Sequence, residues 1–230
     1  MRVGMATHVG HVREKNEDSM GWRDGLFVVA DGMGGHNAGE VASALAVEYI
    51  LRIKGKSDFR RALKRAVEQA NRALLDMAGK DPNCSGMGTT LAVLYIKDDK
   101  AVIGHIGDSR VYQWRQGELR RLTRDHSLVE ELVANGGITA EQARNHPQRN
   151  ILTRALGTPN LPEIELVELP IEAGDRFLLC TDGLSGPLSD EEIAAVISED
   201  KSPQELADSL VEQANGKGGP DNVTIIVVEI

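Results

Sequence analysis

Short runs of consecutive apolar residues punctuate this 230-residue chain, at 26–30, 91–96, 101–106, 176–180 and 223–228. Each borders a glycine cluster, which predicts strands that end in tight turns. The runs are continuous instead of alternating, so both faces of each strand are expected to be covered. Between Thr89 and Thr123 the turn signals Asp98-Asp99, Gly107-Asp108 and Gln116-Gly117 separate four candidate strands. That spacing leaves no room for crossover helices of about a dozen residues, so it predicts an antiparallel meander and excludes a simple doubly wound sheet.

Helical periodicity comes in separate blocks. Over 57–80, Phe59, Leu63, Ala66, Val67, Ala70, Leu74 and Met77 form one stripe, and 38–51 is a second, less regular candidate. Capping boxes at Ser189–Glu192 and Ser202–Glu205, the latter with Pro203 at the first helical position, predict two late helices. Paired helices early and late, with antiparallel strands throughout, predict an α+β fold: a four-layer α-β-β-α sandwich of two antiparallel sheets flanked by helices. Further boxes at Ser127–Glu130 and Thr139–Gln142 lie in a stretch with no strand pattern, read as a helical flap insertion at about 124–157. No repeat, linker or low-complexity run divides the chain, so 1–230 is read as a single domain.

Composition narrows the function classes. A chain of this length buries roughly 70–75% of its unfolded surface and needs no disulfide or structural metal to hold a core. The net charge of −9 opposes nucleic-acid and anionic-lipid binding. No apolar run reaches the length of a membrane span, and 1–18 is too polar for a signal peptide, so the expected location is cytoplasmic. Cys84 and Cys180 neither repeat at short spacing nor group with histidines, which argues against a disulfide framework and a zinc site.

The candidate chemistry sits at the strand ends. Ala30-Asp31-Gly32, Ile106-Gly107-Asp108 and Thr181-Asp182-Gly183 each put a carboxylate beside a glycine; Asp221 precedes the last strand, and Asn16-Glu17-Asp18 precedes the second. Each alone reads as an ordinary turn. As a set the acids can converge, and converging carboxylates need cations among them to stay ionised. With oxygen ligands and neither thiolate nor paired imidazole on offer, the expected ions are Mg²⁺ or Mn²⁺. Other phosphate-handling signatures fail. Ile50 stands where a P-loop ending in Lys54-Gly55-Lys56-Ser57 needs glycine, Asn37 replaces the third glycine of a dinucleotide fingerprint, and neither cysteine has an arginine six residues downstream. Ser185 lacks the glycine spacing of a nucleophile elbow.

Six ordered motifs carry a resemblance: 13–18 (Arg-Glu-Lys-Asn-Glu-Asp), 29–35 (Val-Ala-Asp-Gly-Met-Gly-Gly), Gly88-Thr89-Thr90, Gly107-Asp108-Ser109-Arg110, Thr181-Asp182-Gly183-Leu184 and 219–224 (Gly-Pro-Asp-Asn-Val-Thr). Over its whole length the chain resembles the bacterial metal-dependent serine/threonine protein phosphatases of the type 2C (PPM) family. The resemblance implies hydrolysis of phosphoserine and phosphothreonine by direct attack of a metal-bridging water or hydroxide, without a phosphoenzyme. It implies two core Mn²⁺ or Mg²⁺ ions, with Asp31 bridging, the Gly32 carbonyl on one ion, and Asp182 and Asp221 on the other. Asp108 with Asp182 would hold a third, weaker ion; Asp18, with Glu17 beside it, would orient metal-bound water; and Arg13 would bind the substrate phosphate.

His36 is a candidate general acid, but it lies three residues beyond the position where eukaryotic members carry their histidine, so bracing the turn is the alternative. His8, His11, His105, His126 and His146 are read as structural or surface residues. The implied partners are phosphorylated proteins, including a Ser/Thr kinase and its targets in signal transduction, with the protein itself a monomer. Competing readings are a small-molecule phosphoesterase and a non-catalytic, partner-binding member of the same fold.

Overall fold

The computed structural model describes residues 1–34, 38–53 and 58–230. His36, Gly35 and the expected helix start at Ser57 lie outside the described residues. Two antiparallel sheets stack face to face. One contains β1 (Arg2–His8), β11 (Val223–Glu229), β10 (Arg176–Cys180), β7 (Arg110–Arg115) and β8 (Glu118–Arg121), in that order. The other runs β2 (Asp18–Arg23), β3 (Leu26–Met33), β5 (Leu91–Lys97), β6 (Lys100–Ile106) and β9 (Glu165–Pro170), with the short β4 (Gly88–Thr89) added to the end of β3.

Three apolar layers hold the stack. Between the sheets lie Phe27, Val29, Leu94, Ile103, Phe177, Leu179, Ile226 and Val228. Helices α1 (Gly39–Leu51) and α2 (Phe59–Lys80) cover the outer face of the β3 sheet through Ala42, Ala46, Ile50, Leu63 and Leu74. On the other side α5 (Asp182–Ser185), α6 (Asp190–Ile197) and α7 (Pro203–Gly216) pack Leu184, Ile193, Leu206 and Leu210 on the β10–β11 face. Strands β3, β5, β10 and β11 are therefore buried on both faces, the reason their sequences do not alternate. The expected α-β-β-α sandwich is the observed fold.

Local signals act largely as read. Ser189 and Ser202 form reciprocal capping boxes with Glu192 and Glu205, as Thr139 does with Gln142. Ser127 caps α3 (Leu128–Ala134) from one side only, because the Glu130 carboxylate pairs with Arg121 instead of turning back. The meander is corrected in one respect. β5 pairs with β6 and β7 with β8, but β6 does not pair with β7, because the chain changes sheet at Gly107–Ser109. Gly107 makes that step at φ +101°, a conformation open to glycine, and a Cβ there would sit 2.7 Å from Thr90 Cγ2. The stretch 124–157 carries α3 and α4 (Ala140–Arg144) and is pinned at its base by the bridges Ser127–Leu152 and Thr89–Leu156.

Asp175, 1% exposed, anchors the far end of the sandwich through Arg115, Gln113 and the Glu172 amide. Burial pushes its carboxyl up, but these hydrogen bonds outweigh that and hold it below the usual range. Stability from this carboxylate is therefore present above its unfolded pKa and lost as pH falls through the folded one. Asp175→Ala is expected to cost ~2–4 kcal/mol by urea unfolding at pH 7, with the gap from the parent narrowing toward pH 3.

Candidate metal centre

Five chain segments deliver acids to one end of the sandwich. Asp31 and Gly32 close β3, with Asp31 opposite Asp18 in the β2–β3 register. Asp108 follows β6 at the sheet change, Asp182 opens α5 after β10, and Asp221 immediately precedes Asn222 and β11. A cleft of about 200 Å³ is lined by Asp31, Gly32, Asp108, Asp182, Asp221 and Glu17, with Arg13 at its edge. Asp18 sits behind this lining, its Oδ2 accepting from Thr181 Oγ1 at 2.8 Å. The acids singled out in the sequence thus meet at one place. His36 lies outside the described residues.

The close approach is built from glycine and small hydroxyls. A Cβ on Gly32 would lie 2.0 Å from the Gly39 carbonyl oxygen and 2.5 Å from that of Glu17; a Cβ on Gly183 would lie 1.9 Å from that of Asn222. Neither position can carry a side chain without moving backbone. Asp31 is held by Thr89 on β4 and by Thr90 just after it: its amide donates to Thr90 Oγ1 at 2.9 Å, and its carbonyl accepts from Thr89 Oγ1 at 2.8 Å. Thr90 Oγ1 shares a 2.6 Å hydrogen bond with Ser109 beside Asp108.

Asn222 ties the loop between β1 and β2 into the site. Its Oδ1 accepts from the Glu17 amide at 2.7 Å, and its Nδ2 donates to the carbonyls of Val9 and Lys15, both at 2.9 Å. Arg13, on that loop, donates to Asp221 Oδ2 at 2.8 Å. Thr89, Thr90, Ser109, Thr181 and Asn222 were given no role in the sequence reading. They stood inside the quoted motifs, yet their function is visible only from what each side chain touches.

The electrostatics demand a counter-charge. Burial, then the charge of Asp182, pushes the Asp31 and Asp108 carboxyls well above the carboxylate range. Burial likewise lifts Asp18 to about 7 and Asp182 to about 6. Asp18 Oδ1 and Asp182 Oδ1 are buried without a hydrogen-bond partner. Orphaned carboxylate oxygens among mutually repelling acids are poorly satisfied by protein alone and well satisfied by divalent cations. The donors are all oxygen, which suits Mg²⁺ or Mn²⁺. The residues present therefore fit the ions that the resemblance implies.

Comparison with known proteins agrees with this arrangement. Residues 9–215 match the family model described as protein phosphatase 2C. The serine/threonine phosphatase stp of Listeria welshimeri is 36% identical, with 100% of this chain and 96% of that protein covered. The crystal structure of the Mycobacterium tuberculosis serine/threonine phosphatase PstP/Ppp superposes with a TM-score of 0.93 at 41% identity, covering 100% of this chain and 98% of that one. A second structure, the catalytic domain of PstP in complex with two manganese ions, gives 0.92 at 39% identity, covering 99% and 97%. A family match over most of the chain and full-length relatives above 30% identity lead to one assignment: this chain belongs to the protein phosphatase 2C family.

Proposed function

We propose that the protein is a Mn²⁺- or Mg²⁺-dependent serine/threonine protein phosphatase. The observation that carries this reading is the convergence of Asp31, Asp108, Asp182 and Asp221 on one cleft, with buried carboxylate oxygens left unpartnered. In this reading Asp31, the Gly32 carbonyl, Asp182 and Asp221 would together hold two ions, with Asp31 shared between them. Asp108 with Asp182 would hold a third, weaker ion, while Glu17 on the cleft wall and Asp18 behind it would orient water. Dications held there would lower the pKa of bound water toward neutrality and offset charge on the phosphoryl oxygens.

The chain's own groups do the rest. The Arg13 guanidinium grips two phosphate oxygens and aims the phosphorus into the cleft, while its bond to Asp221 keeps it near the acids. No cysteine or histidine lines the cleft among the described residues, and the Thr90 hydroxyl is occupied by Asp31 and Ser109. In this reading, as the family resemblance implies, transfer is directly to water, with no phosphoenzyme. Residues 1–230 act as one phosphatase domain, and the flap at 124–157 contributes Asn150 and Leu152 to the cleft wall, where it influences which phosphoproteins enter. The proposed partners are phosphorylated proteins, a Ser/Thr kinase and its targets among them, met by a monomer in the cytoplasm. No described helix is long and apolar enough to cross a membrane.

Phosphate release from a phosphothreonine peptide is expected to require Mn²⁺ and to stop on chelation; preference for a phosphodiester would instead favour a small-molecule esterase. Arg13→Ala is expected to lower kcat/KM by about 10–100-fold, the worth of a lost charge-assisted phosphate contact. For His36 as general acid, His36→Ala should slow phosphoserine hydrolysis more than aryl phosphate hydrolysis, whose leaving group needs less protonation. Equal losses would assign it to the turn.

A further inference from the structure

A second donor cluster lies outside the acid cleft. His105 on β6 faces Glu165 on β9 as its direct cross-strand partner. His126, just before α3, brings its ring to 4.7 Å from that of His105, centroid to centroid. His126 Nε2 lies 3.0 Å from Glu165 Oε1. The two histidines are 1% and 5% exposed, whereas the Glu165 side chain reaches solvent at 42%. Both His105 ring nitrogens, and His126 Nε2, lack a properly aligned hydrogen bond. Sequence spacing concealed the pair, because β6 and α3 meet only in the fold.

We propose that His105, His126 and Glu165 form a site for one borderline transition-metal ion of the Zn²⁺ class, separate from the acid cleft. Two imidazoles and one carboxylate are a donor set that prefers zinc over the hard ions of an all-oxygen site, and a water completes the shell. One ligand atom from each residue can be chosen so that all lie within 4.8 Å of one another. A tetrahedral shell with bonds of ~2.0–2.1 Å has edges of about 3.4 Å, so side-chain rotation closes the gap. Burial pushes the His105 pKa down to about 4 and lowers that of His126, which keeps both rings neutral and available as ligands at pH 7.

Two contacts compete with the ion. The Gly107 amide donates to His126 Nδ1 at 3.1 Å, so the metal-free ring carries its proton on Nε2. On metal binding through Nε2 that proton moves to Nδ1, and the bond from the Gly107 amide to the His126 ring is released. The backbone bond from His126 N to Gly107 O, at 2.8 Å, remains. Arg154 Nη1 lies 3.5 Å from Glu165 Oε1 and has to swing outward, which its 42% exposed side chain permits. The ion would clamp β6 and β9 to the base of the 124–157 flap.

The test is Zn²⁺ titration against a chromophoric chelator, with the full chain held in excess Mg²⁺. One Zn²⁺ equivalent is expected in the parent and, unchanged, in Asp182→Asn. Its affinity should fall about 100-fold or more in His105→Asn and Glu165→Gln, and rise several-fold in Arg154→Ala, where the competing cation is gone. In ¹H–¹⁵N spectra the Gly107 amide should shift on Zn²⁺ loading. Glu165→Gln changes an exposed residue and decides the matter if His105→Asn fails to fold. No Zn²⁺ equivalent in the parent, or one unaffected by Glu165→Gln, would overturn the site. Loss of the equivalent in Asp182→Asn would return it to the acid cleft.

Discussion

Asp182→Asn is expected to lower Mn²⁺-dependent phosphatase turnover by about 10³-fold or more, the rate equivalent of the several kcal/mol that a lost metal ligand removes from transition-state stabilisation. The same substitution should stabilise the metal-free protein. Burial holds the Asp182 carboxyl up at about 6, so above that pH the folded chain carries a charge it disfavours. The sign follows from linkage: a carboxyl whose folded pKa is raised gains stability as pH falls from the folded value toward the unfolded one near ~3.9. Chelated Asp182→Asn should therefore melt above the chelated parent at pH 8, by ~2–4 °C for each kcal/mol of relief, with the gap closing between pH 6 and pH 4. Added Mn²⁺ should reverse the order at pH 8 by stabilising the parent more than the variant. Loss of activity with a lowered metal-free melting temperature at pH 8 would point to damaged packing instead of a lost ligand.

Asn222→Ala is expected to lower kcat/KM by about 10²-fold through a different route. The side chain touches no proposed ligand oxygen; it holds the Glu17 amide and the carbonyls of Val9 and Lys15, and so sets the loop that carries Arg13. A misplacement of about 1 Å at a reacting centre is enough for a loss of that size. Removing the amide also strands three backbone groups, each costing about 1–3 kcal/mol where water cannot reach. Asn222→Asp keeps the shape but cannot donate to the two carbonyls, so it should remain impaired. Both variants should bind Mn²⁺ with the parent's stoichiometry. A lost equivalent would make Asn222 part of the metal site itself.

The buried architecture was legible because each of its signals is local. Strands β3, β5, β10 and β11 announce themselves as continuous apolar runs, and Ser189, Ser202 and Thr139 start their helices with capping boxes formed by nearby residues. β9 was not, because an edge strand reading Glu-Leu-Val-Glu-Leu-Pro, half exposed on both faces, has neither continuous nor alternating apolarity. The sheet change at Gly107 was hidden as well, since a turn signal does not say whether the next strand pairs with the last.

The candidate site shows the same division. Asp31, Asp108, Asp182 and Asp221 were findable as acids beside strand-end turns. What holds them was not: Thr90 reaches Asp31 and Ser109, Thr181 reaches Asp18, and Asn222 reaches back across more than two hundred residues. Glu165 and the two buried histidines likewise meet only through β-ladder register and the return of the chain before α3.

The most direct measurement is a calorimetric Mn²⁺ titration of the parent, Asp108→Asn and Asp182→Asn. Two tight equivalents are expected in the parent, the same two in Asp108→Asn, and the loss or marked weakening of at least one in Asp182→Asn. An Asp182→Asn protein that binds two Mn²⁺ ions as tightly as the parent would contradict the account.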